Sequence, residues 1–171
     1  LYDDISEGVL PVLPLVEKER KYAHAMRRVE VYFDDGRGFG TWSWKKYQVP
    51  AEGEVSLRIE LPEGTKALRI DPCETKCVVR VKNLSLKGYA LAPQANGEQA
   101  PNGDYVFDTE DPQLVIHRLP YQDGIVELTF LAQPLTGLVR ETVLAQNGRI
   151  RWMEQTKAWK LYQKIKPEGG K

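Results

Sequence analysis

Charge of one sign, long apolar runs, histidine and cysteine are all scarce in this chain. Its 24 Lys and Arg balance 24 Asp and Glu, so the formal net charge is zero. That balance offers no global attraction for nucleic acid or an anionic membrane, and neither partner is expected. No apolar run reaches the ~20 residues that cross a bilayer, so no direct membrane insertion is expected. The two histidines, His24 and His117, lie far apart. A zinc site would lack its second pair of ligands. The two cysteines, Cys73 and Cys77, sit in PCETKC. They read as reduced thiols of a cytoplasmic protein or as a disulfide across a short loop, with half of a zinc site the weakest reading. Gly36, Gly38 and Gly40 do not make a phosphate loop, because no P-loop lysine and no strand-to-helix context follow. No recognisable catalytic motif is present, and no catalytic residue or cofactor is expected.

What the chain does have is 171 residues of ordinary globular composition. That is one domain by default, large enough for a core without metal or disulfide. It begins at Leu1 with neither Met nor a leader, so we expect a fragment of a longer protein.

The pattern that dominates is period two. Val29, Val31 and Phe33 alternate with polar residues. So do Val55, Leu57, Ile59 and Leu61 over Glu54–Leu61, and Val126, Leu128 and Phe130 over Ile125–Ala132. Shorter strands are expected at Trp42–Val49, Leu68–Asp71, Tyr105–Phe107 and Gln113–Arg118. In the strand restarting at Val78, Val79 and Val81 differ in parity from Leu84 and Leu86. A β-bulge near Lys82–Asn83 would bring all four to the core. Asp34–Gly38 and Pro62–Gly64 read as turns, and 88–103 as a long crossing loop. Eight short strands with no interleaved helices predict an all-β fold, an antiparallel β-sandwich of the jelly-roll kind, over 27–136.

Residues 1–26 read as an N-terminal linker or extended segment, since Pro11 and Pro14 break regular structure. Over 137–171 the spacing of Val139, Val143, Ile150, Met153 and Leu161 predicts a C-terminal α-helix, with Asn147–Gly148 as a kink, a break or a hairpin turn. Its stripe suits packing on the sandwich or on a second copy, and its Lys, Arg, Trp152 and Trp159 read as a solvated basic face.

Two stretches, LRIDPCETKCVVRVKNLSLKG and YVFDTEDPQLVI, carry a family resemblance. They resemble an accessory β-domain of bacterial glycosyltransferases and associated methyltransferases of surface-polysaccharide synthesis. The matching features are the strand ending at Leu68–Pro72, the strand Val79–Gly88 and the Tyr105–Gln113 turn. The likeness covers roughly Val29 to Ala132. It implies a module riding on a larger enzyme, and it implies no catalytic residue.

Phe39, Trp42, Trp44 and Tyr47 form the densest aromatic cluster. Such rings stack on flat apolar surfaces, including the C–H faces of sugars, and are candidate carbohydrate-binding residues. Because Trp42 and Trp44 share a face of the expected strand, core packing of at least one is the main expectation. Asp71, Asp108 and Asp111 are weak candidates for metal ligation or acid–base chemistry. Their places beside prolines and turns predict backbone capping instead. The sequence therefore leads to a non-catalytic accessory module of a glycan-synthesising enzyme, cytoplasmic, partnered by carbohydrate or by an adjacent catalytic domain of the same chain. The alternative is a structural module that self-associates through the C-terminal helix.

Overall fold

A computed structural model describes residues 23–135. The expected N-terminal linker, apart from its last few residues, and the expected C-terminal helix lie outside the described residues. Those up to Pro134 belong to one compact, all-β unit. Its strands are β1 Arg28–Asp34, β2 Trp44–Gln48, β3 Glu54–Leu61, β4 Ala67–Asp71, β5 Cys77–Leu86, β6 Tyr89–Ala90, β7 Gln94–Ala95, β8 Glu98–Gln99, β9 Tyr105–Phe107, β10 Leu114–Ile116 and β11 Gly124–Pro134. They make two sheets in which every pairing is antiparallel. One has the order β2-β1-β4-β10-β7; the other has the order β3-β11-β5-β9-β8, with β6 beside β5.

All eight expected strands are present, with ends shifted by a few residues. The stretch 88–103 holds three two-residue strands where a plain crossing loop was expected. Strands this short show no periodicity to read.

Inward residues of both sheets join one apolar core, including Val29, Val31, Leu68 and Ile70 from the first and Ile59, Leu86, Val126 and Phe130 from the second. The long strands supply it by alternation: β1 buries Val29, Val31 and Phe33, while its even-numbered residues point away.

The bulge falls where the parity change demands it. Asn83 lies opposite Thr129 and Val81 opposite Phe130, so Lys82 has no partner on β11. Val79, Leu84 and Leu86 are buried, and Val81 packs against the core. Lys82 points out and pairs with Glu54.

PCETKC does not join two partnered strands. β4 pairs with β1 and β10, whereas β5 pairs with β11, β6 and β9, so the segment carries the chain from one sheet to the other. Cys73 and Cys77 are free thiols, both buried in the core. The Cys73 thiol donates to the Thr75 carbonyl at 3.3 Å. Its hydrogen bond with Cys77, together with burial, pushes the Cys77 thiol far up, so Cys77 stays protonated and unreactive.

Candidate functional site

The outward face of the first sheet carries the polar and aromatic side chains of β2, β1 and β4. Strand register sets them in two rows. Trp44 stands opposite Tyr32, which stands opposite Arg69; next to them Lys46 stands opposite Glu30, and Glu30 opposite Asp71. The Trp44 and Tyr32 rings stack, with centroids 5.9 Å apart and planes 15° from parallel. On the β4 side, the Arg69 guanidinium lies 4.3 Å from the Tyr32 centroid. Lys46 Nζ sits 5.2 Å from the Trp44 ring. Such cation–ring contacts are favourable because the ring face is electron-rich.

The second row fixes the first. Tyr32 donates its hydroxyl to Glu30 at 2.6 Å, and Lys46 pairs with Glu30 at 3.0 Å. Burial, then the Glu30 bond, pushes the Tyr32 phenol up to about 12, so it remains a donor. Burial alone would raise the Glu30 carboxyl, but the bonds from Tyr32 and Lys46 outweigh it and hold it below the usual range. Arg69 grips Asp71 with two bonds, at 2.8 and 2.6 Å. Asp71 is only 7 % exposed, and burial keeps its carboxyl above the ordinary value, a cost the Arg69 bonds only partly offset. Glu30, Tyr32, Arg69 and Asp71, with the neighbouring Cys73, Glu74, Glu110 and Asp111, line a cleft of about 200 Å³.

Asp71 and Asp111 are held by side chains where backbone capping was expected, and Asp108 has a side-chain partner as well. Asp71 holds Arg69, Asp108 pairs with Lys76 at 3.1 Å, and Asp111 accepts from the Gln113 side chain at 2.6 Å. In the 109–111 turn it is Thr109 whose hydroxyl accepts a backbone amide. Asp71 and Asp111 meet at one cleft, of which Asp108 is not a lining residue. Among the described residues no group of three or more His, Cys, Asp and Glu is arranged to hold a metal ion.

The four candidate aromatics are not one platform. β2 starts at Trp44, so Trp42 lies in the turn before it. Trp44 faces outward, whereas Tyr47, of opposite parity, packs against the core, and Phe39 is half-buried. Contrary to the packing expectation, neither tryptophan is in the core: Trp42 is 57 % exposed and Trp44 38 %. The parity was readable from Val49, because Tyr47 shares its face and Trp44 does not. Tyr32, Glu30, Lys46 and Arg69 were missed because only the β2-β1-β4 register brings them together. A second aromatic pair also escaped notice: Tyr89, 57 % exposed, lies 5.5 Å from Tyr121, with Lys87 Nζ 4.8 Å from the Tyr121 ring.

Trp42 is held in place by a glycine. A Cβ on Gly40 would come within 2.1 Å of the Trp42 ring, so the ring rests directly on the Gly40 backbone. Gly40→Ala should displace the indole while leaving the core intact. We expect a shifted Trp42 indole resonance with an unfolding free energy changed by no more than about 0.5 kcal/mol. An unchanged indole resonance would mean that Gly40 does not seat the ring.

Comparison of the chain with protein-family models, with curated proteins and with solved structures finds no match. Among the described residues no helix is long and apolar enough to cross a membrane.

Proposed function

We propose that the two sheets form a sandwich of the jelly-roll kind, and that this domain is a non-catalytic accessory module of a bacterial glycan-synthesising glycosyltransferase. It binds carbohydrate weakly through Trp42 and Trp44, and it positions the neighbouring catalytic domain. The observation that carries this reading is the exposure of both tryptophans beside a polar network. An indole seated on a turn, with much of its surface in water, suits the apolar face of a sugar ring. The neighbouring Glu30, Lys46 and Arg69 supply acceptors and donors for hydroxyls. The same network supports a binding role over catalysis, because Glu30 and Asp71 are each engaged by a fixed partner. The sequence resemblance supports the parent enzyme class.

The test is an NMR titration of the full chain with surface-polysaccharide fragments. Both indole resonances should shift at millimolar sugar, and Trp42→Ala should weaken binding severalfold. Indoles that stay still at saturating fragment would overturn carbohydrate binding and leave positioning as the only role.

A further inference from the structure

Lys66 sits between the Pro62–Thr65 turn and β4. Its amide donates to the Asp34 carbonyl at 2.7 Å, and its carbonyl accepts the Leu119 amide at 2.9 Å. These bonds fix Lys66 between the end of β1 and the segment after β10. There Lys66, His117, Arg118, Leu119, Pro120 and Gln122 line a cleft of about 490 Å³. Small-molecule sites typically span about 300–1,000 Å³.

The charge of this cleft is one-sided: it has two cationic side chains and a histidine, and no carboxylate. Eight Lys and Arg side chains of the described residues are in ion pairs, each with an Asp or Glu. Lys66 and Arg118 are in none among the described residues. Asp34 and Asp35, on the segment bonded to Lys66, and Asp123, just after the cleft residues, are engaged elsewhere. The Asp34 carboxylate accepts the amides of Gly36 and Gly38 at 2.6 and 2.8 Å. Asp35 holds Arg37, and Asp123 holds Lys87. Gly36 also leaves room for the lysine, because a Cβ there would come within 2.8 Å of Lys66 Nζ. His117 is tethered to Gln94 at 2.9 Å.

We propose that this cleft binds the anionic group of an acidic sugar, with Lys66 and Arg118 on the anion and Gln122 on a ring hydroxyl. An arginine fork pairs with a carboxylate or phosphate through two parallel bonds. Pro120, exposed beside the buried Leu119, offers the apolar surface that a sugar's C–H face needs and a bare inorganic ion does not. The proposal deepens the carbohydrate-binding reading and rests on it: the glycan recognised carries uronate or phosphosugar units.

The experiment is titration of the full chain with glucuronate, glucose 1-phosphate, glucose and inorganic phosphate, read by calorimetry and by amide shifts at 66 and 117–122. Glucuronate, the sugar phosphate or both should bind in the millimolar range and shift those amides, and the responding probe names the anion source. Glucose and inorganic phosphate should bind at least about tenfold more weakly. Lys66→Ala with Arg118→Ala should weaken the anionic sugar at least about tenfold. Arg58→Ala, which removes an exposed cation of β3, should not. Inorganic phosphate binding as well as either sugar, or equal losses from Arg58→Ala and the double variant, would overturn the proposal. So would an absence of binding. The indoles of Trp42 and Trp44 report separately on the exposed tryptophans, so failure there and failure here are distinguishable.

Discussion

Leu84→Ala is expected to destabilise the domain by about 2–5 kcal/mol, whereas deleting Lys82 should change stability by no more than about 1 kcal/mol. Lys82 is the extra residue of β5, opposite no residue of β11. Side chains along a strand alternate, so one unpaired residue is what lets Val79 and Val81 share a face with Leu84 and Leu86. Deleting it shortens the spacing from Val81 to Leu84 from three residues to two, so all four keep the core face in a regular ladder against β11. Truncating the buried Leu84 to alanine removes apolar burial and leaves a cavity, a loss of about 2–5 kcal/mol. Small domains have only about 5–15 kcal/mol in total. The deletion keeps all four apolar side chains of β5 on the core face. It loses only a solvent-exposed pair with Glu54, of a kind that contributes about 0–1 kcal/mol. Urea melts of the full chain would compare the two. A deletion as costly as Leu84→Ala would show that the bulge itself, and not alternation alone, holds β5 in register.

The second large effect is expected at Arg69. Arg69→Ala should cost about 3–5 kcal/mol at neutral pH, because it leaves Asp71 buried without its counter-charge. The pH dependence separates this cause from lost packing on Tyr32. Asp71 has a folded-state value raised above the ordinary 3.8, chiefly by burial. A raised carboxyl favours the folded state fully below the unfolded value and loses that contribution as pH rises through the folded value. Removing Arg69 raises it further, since one charge that favoured ionisation is gone. The deficit of Arg69→Ala relative to wild type should therefore shrink as pH falls from neutral toward the ordinary aspartate range. Adding Asp71→Asn should recover part of it at neutral pH. A deficit constant with pH, and unaffected by the second change, would assign the cost to the stacking on Tyr32 instead.

The strands were legible because alternation is a property of neighbouring residues. Val29, Val31 and Phe33 announce a buried face wherever β1 ends up, and Ile59 and Arg58 fall on opposite faces of β3 as their spacing requires. The bulge was legible for the same reason: the four apolar residues of β5 reach one core only with an extra residue between them. The aromatic cluster was legible as a composition. Its division was legible only in part: Val49 sets the parity of Tyr47 and Trp44, but that Trp42 lies in a turn depends on where β2 begins.

The sequence by itself determined the all-β class, the eight principal strands, which residues of each strand face the core, and the need for the bulge. Only the tertiary structure decided which strands are neighbours, and through that every feature of the two candidate sites. PCETKC crosses between sheets because β4 and β5 find partners elsewhere in the chain. Trp44, Tyr32 and Arg69 form one row because β2, β1 and β4 align across antiparallel ladders. Lys66 meets Arg118 at one cleft because the Leu119 amide bonds to the Lys66 carbonyl. The physical reason is one of range. A strand's faces follow from steric alternation along its own few residues, whereas its partners follow from hydrogen bonds and burial shared with residues far away in the chain.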